Sequence, residues 1–258
     1  MNWALIFHFT RQDLLDRYSG SILGGLWTFI LPLVNILIFT LVFSKIMGAR
    51  LEAFGAQFSE YNYSIYLVAG ILAWNAFAAT VNRVTNIFIE KASLIGKVNL
   101  SLLALPLYIV ASETVVYLIS MAFFTGFLII IGFPFSWHWC LIPLLFLAQQ
   151  LFAYGLGFLL AVLSVFIRDI REFVNVFLQL WFWLTPIVYV VHILPEETQS
   201  IFSWNPMFLM VESYRDVILN HTVPEPYGLL VIGALAMTFL GVGRFLFKKL
   251  EKDIRDFI

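Results

Sequence analysis

The stretch Arg17-Tyr18-Ser19-Gly20-Ser21-Ile22-Leu23-Gly24-Gly25-Leu26-Trp27, running on through Leu31-Pro32 to Phe43, decides how the rest of the chain is read. It joins a short amphipathic segment to the first long apolar run. At about 100° per residue, Trp3, Ile6, Phe7, Leu14 and Tyr18 share one helical face, with Arg11, Gln12, Asp13 and Asp16 largely elsewhere. Such a helix lies in a membrane interface with its aromatic side down; an ordinary docked surface helix is the alternative. Residues 23–47 then exceed the roughly 20 apolar residues needed to cross a bilayer, with Pro32 expected to kink the crossing. Gly20 and Gly24 form a Gly-x-x-x-Gly pattern that would let another helix approach closely. The chain therefore leaves water for lipid at this point, and the later apolar runs repeat the crossing.

Composition agrees. The 258 residues are 61% hydrophobic and 12% charged, with mean hydropathy +0.91. A soluble domain has roughly 45–50% apolar and about 25% charged residues, so the bilayer must be the solvent. Net charge is −1, and bulk electrostatics suggest no nucleic-acid partner. Cys140 is the only cysteine, which excludes an internal disulfide and a cysteine metal cluster. Residues 1–10 lack a basic n-region, so a cleavable leader is not expected.

Further crossings are expected at 63–80, 102–131, 141–166, 174–191 and 227–247. Between them lie a polar connection at 45–62, a polar, partly helical loop at 83–101, an aromatic turn at 132–139 suited to an interface belt, and the charged turn Arg168-Asp169-Ile170-Arg171-Glu172. Residues 192–226 are broken at Asn205-Pro206 and charged at Glu212, Arg215 and Asp216; a re-entrant or interfacial helix pair fits them. With both termini on one side, that side holds every Lys and Arg except Lys45, Arg50 and Arg215, which is 12 of 15. That bias predicts cytoplasmic termini.

No catalytic constellation emerges. His8, His138, His192 and His221 have no metal-ligand spacing. Gly96-Lys97 is not a phosphate loop, because Lys91 stands where the first glycine is needed and Val98 where Ser or Thr would hold magnesium. Glu113 is the one ionisable residue well inside a crossing. Its cost there is met either by a structural hydrogen bond or by a place on a translocation path. Aromatics make up 17% of the chain; Trp181, Phe182, Trp183 and Tyr189 either pack, face lipid, or line a path whose rings stack on sugar faces.

The opening stretch with Leu31-Pro32-Leu33, together with Val42-Phe43-Ser44-Lys45-Ile46, Arg168-Asp169-Ile170, Thr185-Pro186-Ile187, Trp204-Asn205-Pro206-Met207 and Tyr214-Arg215-Asp216, resembles the membrane subunits of ABC-2 type exporters for O-antigen and other polysaccharides. The resemblance runs the length of the chain, in order. It implies an all-α integral membrane protein with six transmembrane helices, forming a single domain over 1–258. Residues 1–20 would be a cytoplasmic interface helix carrying Trp3, Phe7, Arg11 and Arg17. Residues 83–101 would be a coupling loop, and 192–226 an external re-entrant segment between spans five and six. It implies a homodimer joined by two copies of a cytoplasmic P-loop ATPase, which would bind ATP and magnesium, this chain holding no cofactor or metal. Glu90, Lys91, Leu94, Ile95, Lys97, Arg168 and Asp169 would meet the ATPase; Phe39, Glu113, Trp181, Trp183 and Tyr189 would lie along the path. The expected cargo is an undecaprenyl-linked polysaccharide, O-antigen first, crossing the bacterial inner membrane. Teichoic acid, capsule or a lipophilic small molecule are the alternatives within the class. A membrane-embedded enzyme on lipid-linked sugars and an ion-coupled carrier are those outside it.

Overall fold

The computed structural model of the chain describes residues 3–17, 20–27, 30, 33–34, 37–38, 62–95, 102–191 and 200–257. All regular structure among them is helical. The longer helices are α1 (Trp3–Asp16), α2 (Asn62–Glu90), the one-turn α3 (Ala92–Ile95), α4 (Leu107–Ile130), α5 (Ile142–Phe166), α6 (Asp169–Leu184), α7 (Pro206–Arg215) and α8 (Pro226–Phe257). By length and composition α2, α4, α5 with the turn before it, and α8 can each cross a membrane. The first expected crossing, 23–47, lies mostly outside the described residues, Pro32 included.

Several boundaries differ from expectation. The α2 helix does not stop near residue 80 but runs 29 residues to Glu90, about 43 Å at 1.5 Å per residue, beyond a hydrocarbon core of about 30 Å. Residues 71–90 contain neither Gly nor Pro to break it, and Arg83, expected in a loop, sits on the helix against acidic partners. The crossing expected from residue 102 begins only at Leu107, as α4, with Pro106 as its N-cap. The fifth expected crossing begins earlier and ends earlier, as α6. Pro186 has no N–H and disfavours helical geometry in the residue before it, and Thr185 is extended at φ −103°, ψ 123°. Sixteen residues of helix reach only about 24 Å, and the chain continues to Val191 without regular α-helix.

Gly20 and Gly24 adopt φ of +85° and +47°, the left-handed region that glycine enters freely. They turn the chain after α1, and among the described residues a Cβ at either would meet nothing within 4 Å. Close helix approach occurs instead on α5, where a Cβ at Gly157 would lie 2.9 Å from Val84 Cβ of α2 and one at Gly155 would lie 3.0 Å from the Ala236 carbonyl of α8. Small residues let backbones meet where no hydrophobic effect drives helices together. Thus α5 is gripped from both sides. Buried polar groups add to the grip: Gln149 donates to the Ala73 carbonyl at 2.8 Å, Thr80 donates to Gln150 at 2.9 Å, and Ser164 donates to the Thr85 carbonyl at 3.0 Å.

Two apolar clusters result. One joins α2, α4, α5, α6, α7 and α8 around Phe77, Phe124, Phe152, Met210 and Val211. The other joins α1, α3 and the adjoining ends of α2, α4, α5 and α8 around Ile6, Ile87, Phe88, Ile95, Tyr108 and Phe158.

Candidate functional site

The α1 end of the molecule holds a concentration of charge around the buried Glu113. In α1, Ile6, Thr10, Asp13 and Arg17 recur at helical spacing, and this face meets α4. Ile6 and Thr10 are buried, and the Thr10 hydroxyl donates to the Ile6 carbonyl at 2.9 Å and the Tyr108 carbonyl at 3.4 Å. Glu113 of α4 accepts from Arg17 Nη2 and from Arg83 Nη1 at 2.6 Å each, both on Oε1. Arg83 Nη2 also donates to Asp13 Oδ1, and Arg17 Nη2 lies 3.6 Å from Asp13 Oδ2. Two arginines and two carboxylates thus form one neutral cluster joining three helices, with the Glu113 side chain 4% exposed. A buried charge is tolerated when it is paired and hydrogen-bonded. Of the two roles open to Glu113, the geometry is that of a paired structural anchor.

This arrangement regroups α1. Asp13, expected on the polar face, points inward, and Ile6 is separated from Trp3 and Phe7, which are 70% and 67% exposed. Arg11 is exposed while Arg17 is drawn into the cluster. Periodicity finds faces but cannot know that a carboxylate will have arginines opposite it.

Beside the cluster lies a groove of about 310 Å³ between α1 and the α2–α3 turn, lined by Phe9, Gln12, Asp13, Asp16, Glu90, Lys91, Ser93, Leu94 and Tyr108. Lys91 Nζ stands 6.0 Å from the centre of the Tyr108 ring. Of the residues expected to meet a partner, Glu90, Lys91 and Leu94 share this groove. Ile95 is buried in the adjoining apolar cluster, where it anchors α3. Lys97 lies outside the described residues. Arg168 and Asp169 are exposed at the start of α6.

At the opposite end, the break after α6 is clamped by side chains. Arg215, 1% exposed, donates through Nη1 to the Pro186 carbonyl at 3.0 Å and to Glu212 at 2.6 Å, and through Nη2 to the Ile187 carbonyl at 3.0 Å. Its guanidinium carbon lies 3.3 Å from the centre of the Tyr66 ring. The Tyr63 hydroxyl donates to the Val188 carbonyl, and that of Tyr66 to the Tyr189 carbonyl at 3.3 Å. Four successive carbonyls freed by the break are therefore satisfied from α2 and α7, which is the condition for non-helical backbone at membrane depth. Asn205 completes the clamp. Its Oδ1 accepts from Met207 N at 3.0 Å, capping α7, and from Trp181 Nε1 at 2.9 Å, while its Nδ2 donates to Thr185 Oγ1 at 3.0 Å. The sequence marks Asn205-Pro206 as a break; its role as cap and tie depends on where α6 ends.

The residues expected along a path are not brought together. Trp181 packs inward against Trp74, Phe77 and Phe152. Trp183 is exposed, Tyr189 is half-buried with its hydroxyl on the Trp183 carbonyl, Glu113 sits in the charge cluster, and Phe39 lies outside the described residues. Among the described residues no group of three or more His, Cys, Asp or Glu side chains could hold a metal ion.

Known proteins share this sequence pattern from end to end. Residues 4–219 match the ABC-2 type transporter family. The chain is 30% identical, over 93% of its own length and 90% of the relative's, to an O-antigen export system permease protein, RfbA, of Klebsiella pneumoniae. It is 25% identical, over 99% and 95%, to an RfbA of Myxococcus xanthus. It is 26% identical, over 90% and 86%, to a capsule polysaccharide export inner-membrane protein, BexB, of Haemophilus influenzae.

Proposed function

Because the chain belongs to the ABC-2 type transporter family, we propose that this multi-pass membrane protein is the permease subunit of a polysaccharide exporter, with O-antigen as its first candidate cargo. The observation that carries this is the end-to-end likeness to export permeases named for O-antigen. The protein sits in the bacterial inner membrane with both termini cytoplasmic and crosses it six times, counting 23–47 and α6. It works as a homodimer with two copies of a separate P-loop ATPase, which binds the ATP and magnesium; this chain binds no cofactor. Residues 192–226, including α7, form the external re-entrant segment.

Work enters through the α1 end. Closure of the ATPases on ATP presses on the α2–α3 turn, where Glu90, Lys91 and Leu94 edge the groove and Lys97 comes next in the chain. Ile95 ties that turn to the apolar cluster. The groove shares Asp13 with the charge cluster, so displacement of the turn bears on α1 and, through Arg17, Arg83 and Glu113, on α4. Arg168 and Asp169 form a second contact at the foot of α6. A ligand shifts a conformational equilibrium only by its differential affinity for the two states, so nucleotide-dependent contacts at these two places must supply the work.

Purification from native membranes with a tag on this chain tests the class. A stoichiometric P-loop ATPase, with hydrolysis requiring both subunits, is expected; a chain that purifies without one overturns the reading. Deleting the gene should trap lipid-linked glycan inside the cell, and absence of trapped glycan removes the cargo assignment. A Glu90→Ala, Lys97→Ala double variant should uncouple hydrolysis from export, and unchanged coupling would reject the first contact.

A further inference from the structure

The α6 helix carries three distinct faces. Val174, Leu178 and Trp181 turn into the protein. Phe173, Val176, Leu180 and Leu184 form an exposed apolar face suited to lipid or a second copy of the chain. Between these two, at helical spacing, Glu172, Asn175 and Gln179 are exposed. On α2, Asn75, Asn82 and Asn86 also recur at helical spacing, Asn75 exposed and the others half-buried. The two rows meet, since Asn82 Nδ2 donates to Asn175 Oδ1. The helices run antiparallel there, with Trp74 of α2 against Trp181 and Phe182 further along α6. At 1.5 Å per residue, the carboxamides extend about 16 Å from Asn86 to Asn75, and Gln179 lies about 15 Å from the start of α6. That is half of a hydrocarbon core of about 30 Å.

Asn82, Asn86 and Asn175 meet part of their bonding within the strip, Asn86 Nδ2 donating to the Asn82 carbonyl at 2.9 Å; the remaining donor and acceptor capacity of the strip, with that of Asn75 and Gln179, is disfavoured against lipid tails, which offer no hydrogen-bond partner. A glycan offers hydroxyls, each both donor and acceptor, and a carboxamide likewise presents both. The geometry points to a hydrogen-bonding track for the hydroxyls of the moving glycan, formed by Asn75, Asn82 and Asn86 of α2 with Asn175 and Gln179 of α6. The track rests on the polysaccharide reading above and assigns it a path distinct from the inward-facing aromatics around Trp181. Flexible amides exchange partners as sugar units pass, so they hold the chain in register without binding any one unit tightly.

The test uses the full complex in native membrane vesicles. With Cys140, the single and exposed cysteine, replaced by serine, single cysteines are placed by Asn75→Cys, Gln179→Cys and, on the apolar face, Leu180→Cys. A charged, membrane-impermeant methanethiosulfonate should modify the first two at least tenfold faster than the third. In parallel, Gln179→Leu with Asn175→Leu should lower glycan export about tenfold with complex assembly and ATP hydrolysis retained, and Gln179→Asn should export normally. Equal modification rates overturn the track. So does efficient disulfide crosslinking of two copies through Gln179→Cys without modification, which would make the strip a dimer interface, and so does undiminished export by the leucine variant. If cells lacking the chain trap no glycan, the polysaccharide reading fails and the track as a glycan path fails with it; trapped glycan with equal modification rates removes the track alone.

Discussion

Replacing Glu113 by glutamine keeps the shape of the side chain and removes one charge from a cluster that is neutral as it stands. Arg17 and Arg83 both donate to Glu113 Oε1 at 2.6 Å, and Asp13 alone cannot balance two guanidiniums. Breaking a buried ion pair by removing one partner costs about 3–5 kcal/mol, because an unpaired charge remains. The outer members are about a quarter exposed, Arg17 at 22% and Arg83 at 26%, so solvent relieves part of this and the lower end, about 3 kcal/mol, is expected. At about 1.4 kcal/mol per tenfold, α1 should undock from α4 about 100 times more readily. Hydrogen exchange of the backbone amides of α1, measured on the complex in nanodiscs, should accelerate by that factor, while the interior of α5 is unaffected. Adding Arg83→Met to Glu113→Gln leaves the Asp13–Arg17 pair and restores neutrality, so most of the protection should return. Exchange in α1 within twofold of the parent for Glu113→Gln would refute the argument that this cluster holds α1 in place.

Other substitutions probe the remaining contacts. Gly157→Ala puts a methyl 2.9 Å from Val84 Cβ; overpacking of this kind costs about 1–3 kcal/mol, read as a lower thermal midpoint of the solubilised complex. Asn205→Ala removes the α7 cap and the tie to Trp181 and Thr185; the cap alone is worth about 0.5–2 kcal/mol, and exchange should rise at the start of α7. Arg215→Lys cannot span the carbonyls of Pro186 and Ile187 with a planar fork, so the thermal midpoint of the solubilised complex should fall in the variant, and an unchanged midpoint would count against the clamp. Opposite accessibility of impermeant labels at residues 93 and 204 would confirm that the α1 and α7 ends lie on opposite sides of the membrane.

Sequence alone determined the membrane character, because apolar runs of the right length need no neighbour to be recognised. It also identified the family, whose motifs are strung along the chain in order, and Glu113 as a residue needing explanation. The break at Asn205-Pro206 was legible as well, since proline acts through its own backbone, whereas the end of α6 before Pro186, inside the expected fifth crossing, was not. Tertiary structure decided what long-range partners supply. Arg83 is helical and inward because Asp13 and Glu113 come from two other helices. Arg215 can be fully buried because carbonyls of a broken segment and the ring of Tyr66 surround it. Gly155 and Gly157, like Gly70 and Gly243, matter for contact with neighbours far away in the chain, whereas Gly20 and Gly24 serve a local turn. The carboxamide strip becomes visible only when α2 and α6 lie side by side, for Asn82 and Asn175 are meaningless as a pair until folding joins them. Periodicity reports which residues share a face; only packing reports what that face meets.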